Sequence, residues 1–470
     1  MIKPELLLTD LLIYLLVAGI IYFIIYTRRH EHLRRPWRQV MSTRTGAVTL
    51  VILLTYVTIG LLDSIHFQLP LENQNNQHET HYSAEVLSVF DIIVTPLRER
   101  VEKTYSAPLA AHAYAKETIE LPQGGQQRTY PRLLYGGAHL DDPATERITD
   151  IVATTLRALA VALLLWSIII YVTAWWLSHG QQTSAAAMLQ RILNNECATP
   201  WRAILVCIGV IVAILCLLTA LSAKYHVFGT DKVGEDVLYQ TLKSVRTGLV
   251  IGALTTLIML PFAILLGIMA GYFRGWIDDV IQYLYTTLNS IPGVLLIAAS
   301  ILMLQVYMAN NAEQFETVTD RADMRLLFLC IILGITSWTG LCRILRGETL
   351  KLRETDYIQA ARAFGVRHLT IITRHILPNV MHIVLIAVVL DFSGLVLAEA
   401  VLSYVGVGVD PTMQSWGNMI NAARLEMARE PMVWWSLLAA FVMMFILVLS
   451  ANLFSDAVRD AFDPRLRKMD

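Results

Sequence analysis

Few residues of this 470-residue chain are of a type and spacing that could make or break bonds. The carboxylates set deepest in apolar sequence are Asp391 and Glu399. Two carboxylates can share a proton, as in intramembrane proteolysis, only when they nearly touch. Eight residues on one helix put these two about 80° apart in angle and roughly 12 Å apart along the axis. That is too far for a shared-proton pair. His78-Glu-Thr-His81 could place two histidines on one helix face, but a structural metal site needs four ligands, and the segment reads as a solvated loop. Cys197, Cys207, Cys216, Cys330 and Cys342 form no Cys-x-x-Cys pair, and all but Cys197 lie within or at the ends of apolar runs. Neither a metal cage nor a disulfide framework is expected. No Gly-Lys dipeptide occurs, so there is no phosphate-cradling P-loop. The expectation is a chain with no catalytic residue, no metal and no bound cofactor of its own. If ATP drives it, another chain hydrolyses the ATP.

What remains is machinery for transmitting movement, and it centres on residues 355–378. This stretch is polar and basic, yet apolar spans flank it. Ala360, Ala361 and Ala363 favour a helix, and Gly365 can take the left-handed conformation that ends one. A second run follows with Leu369, Ile371, Ile372 and Ile376 as its apolar positions, and Leu377-Pro378 opens the next span. A helix over 356–364 would be roughly 13 Å long, short enough to lie sideways in a groove on a partner.

The elements that hold this segment are transmembrane helices. The composition is 55% hydrophobic and 16% charged, against about 25% charged for soluble domains. Long apolar runs without strand alternation predict helices and not a barrel. The fold class expected is an all-α polytopic membrane protein with about nine spans, at 6–26, 46–62, 151–176, 203–223, 247–272, 280–304, 326–341, 380–401 and 433–454. A net charge of −1 gives no hint of a nucleic-acid partner; membrane lipid is the expected surrounding.

Arg28, Arg29, Arg34, Arg35, Arg38 and Arg44 follow the first span. By the positive-inside rule they are cytoplasmic, which puts the N-terminus outside and, after nine spans, the C-terminus inside. No cleavage site follows the first span, which reads as a retained anchor. The seven Lys and Arg residues over 343–374 place the 355–378 segment on the cytoplasmic side too. Residues 63–150 carry thirteen acidic and seven basic residues and are expected outside. Within them Val86, Val89, Phe90, Ile93 and Leu97 predict an amphipathic helix that Pro96 ends or kinks. Pro261 should kink the fifth span, and Gly267, Gly271 and Gly275 form a small-residue face for close helix packing. Asn289 and Pro292 interrupt the sixth span, where freed carbonyls need protein or a watered path. Asp391 and Glu399 cost at least about 2.5 kcal/mol each if charged at the bilayer centre. They should therefore face a polar path or a partner, or be protonated.

Several of these stretches resemble one family. Gln359-Ala360-Ala361, Gly365 and Leu377-Pro378 resemble the Glu-Ala-Ala coupling loop of ABC-importer permeases, with Gln359 in place of Glu. Gly229-Thr230-Asp231, Gly234 and Asp236-Val237 resemble the signature of the oligopeptide and dipeptide permeases, with Glu235 where Arg is usual. Ala398-Glu-Ala-Val-Leu-Ser403 resembles the family's Ala-Glu-Ala-x-Leu-Ser. Ser415-Trp416-Gly417 resembles the loop that reaches toward the pore mouth, and 456–464 the terminal pattern. The match runs over about 203–465.

The resemblance implies a C-type permease of a peptide or nickel ABC importer in a bacterial cytoplasmic (inner) membrane. A type I permease core would occupy 203–470, with its coupling loop at 343–378. It implies as partners a second permease, two ABC ATPase subunits that bind ATP and Mg, and an extracytoplasmic substrate-binding protein. Gln359, Ala360, Ala361, Gly365, Leu377 and Pro378 would couple to the ATPases. Asn289, Pro292, Asp391 and Glu399 would line the path or gate. Ser415, Trp416 and Gly417 would form the extracytoplasmic loop. Residues 1–62 (two spans), 63–150 (an extracytoplasmic region) and 151–202 (a further span and a cytoplasmic linker) lie outside the pattern and read as additions. A nickel or other small-solute importer, or a non-transporting assembly subunit, stays open on sequence alone.

Overall fold

The computed structural model describes residues 3–70, 82–121, 125–181, 184–311 and 317–462. His78 and His81 lie outside the described residues, as do Asp463 and Pro464 of the terminal pattern.

A strand, β1 (Lys3–Glu5), precedes the first long helix, α1 (Leu8–Arg29). A second, amphipathic helix, α2 (Glu31–Ser42), leads to α3 (Arg44–Asp63), whose first turn is capped by the Thr43 hydroxyl accepting from the Gly46 amide. The region between the second and third spans is built from β2 (His66–Pro70), β3 (Tyr82–Ser88), α4 (Val89–Ile93), α5 (Thr95–Glu99) and the hairpin β4 (Glu117–Leu121) to β5 (Gly125–Thr129). β1, β2 and β3 form one antiparallel sheet. The start of the chain and this insertion therefore sit at the same end of the molecule. The helix expected across 86–97 forms only in part. Val86 lies in β3, and helix starts after Ser88, whose side chain and that of Asp91 make a reciprocal capping box. It breaks at Val94 and resumes with Pro96 in its first turn, where a missing N–H costs nothing.

The rest is helical: α6 (Pro143–Gln181), α7 (Ala185–Leu193), α8 (Trp201–Ser222), α9 (Val237–Phe273), α10 (Trp276–Ser290), α11 (Gly293–Asn310), α12 (Val318–Arg353), α13 (Asp356–Ala363), α14 (His368–Ile371), a π-helical turn Ile372–Ile376, α15 (Leu377–Tyr404), α16 (Trp416–Glu426) and α17 (Trp435–Phe462). Among the described residues nine helices are long and apolar enough to cross a membrane, the number expected. The sixth is shorter than expected. Residues up to Ser290 form the separate helix α10, and α11 starts at Gly293. Ile291 is extended, at φ −92° and ψ 127°, as a residue before proline tends to be, and Pro292 has no N–H with which to continue the ladder.

The centre of the bundle is α9, about 55 Å long for its 37 residues. It starts beside the insertion and ends beside α13, and it packs against α12, α15 and α3. The first helices of the chain pack into this core. α3 lies against α8, α9 and α17, and α1 against α12 and α9. A buried polar knot holds α1. The Arg246 guanidinium on α9 donates to Asp10 at 2.7 Å and to the Thr9 hydroxyl at 3.2 Å. Asp10 also meets His66 Nδ1 of β2 at 2.7 Å, and the Thr9 hydroxyl donates to Asp323 of α12. One turn away Lys243 reaches Asp91 at 2.6 Å and Asp63 at 3.7 Å, which ties α4 and α3 to α9.

The insertion closes on the Gly229–Val237 turn through a second knot. The Glu102 carboxylate accepts from the amides of Leu134, Tyr135 and Gly136. It faces His226, whose other nitrogen lies 2.7 Å from Asp236, the N-cap of α9. Gly234, at φ +84°, lies so close that a Cβ would overlap the Glu102 carbonyl oxygen. Burial alone would lower the His226 pKa, but the bonds to Asp236 and Glu102 outweigh it and raise it to about 9. Burial would raise Glu102, but His226 and the three amides hold it at about 2.

The signs give a pH window. The His226 contribution is complete below its unperturbed value of 6.5 and is lost as pH rises through about 9. The Glu102 contribution is complete above 4.5 and is lost as pH falls through about 2. Limited proteolysis of the insertion should therefore be slowest between those unperturbed values and should quicken progressively toward alkaline pH. His226→Gln should remove the alkaline trend; a wild-type rate that stays flat through about pH 10, once corrected for the protease, contradicts this.

Candidate functional site: the 355–378 segment and the helix that follows it

At the end of the bundle away from the insertion, α9 and α12 come close through two glycines. A Cβ at Gly267 would lie 2.8 Å from the Cys342 carbonyl, and one at Gly271 would lie 2.6 Å from the Thr349 Cβ. Gly275 does not continue this face as its spacing suggested. It lies past the end of α9 at φ +61°, with nothing within 4 Å of a Cβ, and serves the turn into α10. Asp278 on α10 takes a two-pronged bond from Arg346 on α12, at 2.6 and 2.7 Å. That bond outweighs burial and lowers the Asp278 pKa.

α12 hands directly to α13 through Glu354 and Thr355. Gly365, at φ +72°, ends α13 in a Schellman turn: its amide donates to the Arg362 carbonyl at 3.0 Å, and the Val366 amide reaches back to Ala361 at 3.1 Å. Ile358 is fully buried among Leu345, Tyr272, Ile371 and Ile376. Arg353 donates to the Tyr272 carbonyl at 3.0 Å, the Tyr272 hydroxyl lies 2.8 Å from His368 Nδ1, and Arg274 pairs with Glu354 at 3.0 Å. The short helix is thus fixed to the ends of both α9 and α12. Its other face is bare. Gln359 and Ala360 are exposed, Tyr357 is 45% exposed, and Phe364 and Leu369 are 86% and 74% exposed. Gln359 turns its amide back to the Glu354 carbonyl at 3.1 Å, a bond a glutamate could not donate.

Leu377-Pro378 lies within one continuous helical run from His368 to Tyr404. Pro378 cannot donate to Arg374 and crowds that carbonyl, and the widened π turn at Ile372–Ile376 takes up the misfit. At the far end of the same run Glu399 is buried and accepts from the Ser403 hydroxyl at 2.8 Å, the Ser415 hydroxyl and the Gly417 amide. Two stretches that looked separate in the sequence are therefore one site. Ser415-Trp416-Gly417, expected as a loop, is the buried start of α16. Ser415 is its N-cap, and the Trp416 indole is 1% exposed and donates to the Thr241 carbonyl at 3.0 Å. A Cβ on Gly417 would sit 2.6 Å from both Glu399 Oε1 and the Ser403 Cβ. Gly417→Ala should cost about 1–3 kcal/mol of stability by overpacking, read as a lower thermal midpoint in detergent; an unchanged midpoint would show that Glu399 can swing away.

The other candidates stand apart. Asn289, exposed near the end of α10, accepts from Thr339 at 3.1 Å, and Pro292 is exposed at the break. Asp391 is half-buried on α15 and has no hydrogen-bond or ionic partner among the described residues. The bare Phe364 and Leu369 were not expected, since they lie on a segment too polar overall to suggest an apolar face. The Arg246 knot was not expected either, because its members are scattered over three spans and no local pattern joins them.

Residues 263–468 match the family described as binding-protein-dependent transport system inner membrane component. Among similar proteins, the glutathione transport system permease protein GsiD of Pectobacterium atrosepticum is 32% identical over 244 residues, covering 52% of this chain and 73% of the relative. The oligopeptide transport system permease protein OppC of Mycobacterium bovis is 33% identical, covering 52% and 77%. The dipeptide transport system permease protein DppC of Bacillus subtilis is 29% identical, covering 52% and 71%.

Proposed function

The chain belongs to the binding-protein-dependent transport system inner membrane component family, as a permease of the oligopeptide and dipeptide ABC type, and from that premise we propose that it imports peptide-class solutes by coupling to ATPase subunits on other chains. The observation that carries this is the α13 segment, an eight-residue helix fixed to α9 and α12 on one side and bare on the other. The bare face, from Tyr357 through Gln359 and Ala360 to Phe364, docks in a groove on an ABC ATPase at the cytoplasmic face. Gly365 sets the angle of that helix, and Leu377 and Pro378 start the rod that ends at Glu399. ATP binding draws the two ATPases together. The movement passes through α13 into α12 and α15 and shifts the population between inward-open and outward-open states.

A second permease completes the path, and Asp391 faces it or the solute. A binding protein delivers the solute at the end that carries the insertion. In this reading the N-terminus and the 63–150 region lie outside and the C-terminus inside. Insertion and added helices move with the core, because Arg246 and His226 fasten them to α9.

The test is reconstitution of the co-purified complex in vesicles. The expected result is ATP hydrolysis stimulated severalfold by binding protein loaded with di- or oligopeptide, or with the tripeptide glutathione, together with uptake of that solute. Purification without any ATPase subunit, or hydrolysis indifferent to loaded binding protein, contradicts the reading.

A further inference from the structure

The transport reading leaves a concentration of positive charge unused. α1 ends on Arg28 and Arg29, and α2 presents Arg34, Arg35 and Arg38. With Glu31 these arginines line one cleft of about 380 Å³. Five guanidinium groups thus face a single carboxylate. Among the described residues the ion pair made there is Arg35 to Glu31 at 3.3 Å, with both side chains 78% exposed. Such crowding is unfavourable unless an anion offsets it. The cleft cannot relax by releasing α2, because Trp37 and Val40 pack against Val458, Ala461 and Phe462 of α17, with the Trp37 and Phe462 rings 5.5 Å apart.

The surroundings decide what the anion is. Beyond its docked first turns α1 is bare: Ala18 through Tyr26 are all exposed, and only 11% of its most apolar stretch is buried. Tyr22 and Tyr26 stack 6.5 Å apart on it and are both exposed. Tyrosines of this kind mark headgroup depth. Arg28 follows Tyr22 by about 9 Å of helix rise, so the cleft opens where phosphates lie, and the apolar side of α1 lies where acyl chains lie. A phosphodiester offers the paired oxygens that a guanidinium fork binds best. A free phosphate matches the cleft but leaves the apolar helix beside it uncovered.

We infer that the cleft between α1 and α2 binds the headgroup of an anionic phospholipid whose acyl chains lie along α1. The inference is independent of which solute is carried.

Native mass spectrometry of the full chain in neutral detergent tests it, with equimolar phosphatidylglycerol and phosphatidylcholine at low salt. Wild type should retain phosphatidylglycerol with a preference of about tenfold or more, weakening in high salt. R28Q/R29Q/R34Q/R35Q/R38Q should lose that preference. The five Arg-to-Lys replacements keep the charge and should retain part of it, which separates lost charge from lost fold. The inference is overturned if wild type and the glutamine variant retain the two lipids in the same ratio. It is also overturned if glycerol phosphate binds as well as the lipid at equal concentration. A glutamine variant that keeps its lipid preference but loses co-purifying protein overturns it too, and makes the cleft a protein-docking surface.

Discussion

Gly365→Val is expected to cut ATP-driven uptake by at least about tenfold while assembly and basal ATP hydrolysis persist. Gly365 sits at φ +72°, and no described residue comes within 4 Å of a Cβ built there, so a Cβ meets no neighbour among the described residues. A β-branched residue held in that conformation costs about 1–3 kcal/mol. The cheapest escape is to unwind the Schellman turn, which frees the Arg362 and Ala361 carbonyls and lets α13 tilt. A tilted α13 no longer carries displacement squarely into α12 and α15. Gly365→Asn separates two causes, because asparagine tolerates left-handed backbone. If asparagine restores uptake, the conformation matters; if it fails like valine, the partner approaches too closely for any side chain. Full uptake by a normally assembled valine variant contradicts the lever.

Arg246→Met is expected to be the most destabilising single change in the core. The Arg246 side chain is 7% exposed and serves Asp10 directly and Asp323 at 4.0 Å. Removing one partner of a buried ion pair costs about 3–5 kcal/mol, because the remaining charge is left uncompensated. Here the carboxylates left behind are Asp10 on α1, which keeps only His66, and Asp323 on α12, so α1 should loosen from α9 and α12 and the chain should aggregate on mild heating in detergent. Arg246→Met combined with Asp10→Asn removes both charges and should recover much of the loss. A double variant as unstable as the single one would mean that the guanidinium acts through Thr9 and packing, not through the carboxylate.

The spans were legible because lipid demands long apolar helices, and the α13 segment because a glycine stop and alanine-rich turn are local signals. Pro292 announced a break, though not that α10 would be a helix of its own. What stayed hidden was non-local. Trp416 sits among Gly and Pro signals that spell a loop, and its burial depends on Gly248 of α9, which offers no side chain to block the ring. Glu399 and Gly417 lie on different elements, so no periodicity could pair them. Asp10, Arg246 and Asp323 lie far apart in the sequence, each at or near the end of a span; only the packing of α1 into the core makes them one group. The short strands of the insertion left no long alternation to read. Phe364 could have been suspected, as a large apolar residue beside a helix-ending glycine in a basic segment.

The central claim is that the bare face of α13 meets a nucleotide-driven partner, and disulfide or maleimide cross-linking from Phe364→Cys in the native complex tests it most directly. Phe364 is 86% exposed at the end of α13, so the substitution removes no internal packing. The account predicts a cross-link to an ATPase subunit whose yield changes when ATP is bound, and no labelling of that thiol by a membrane-impermeant reagent added to intact cells. A thiol that labels from outside, or one that never reaches an ATPase subunit in an active complex, contradicts it.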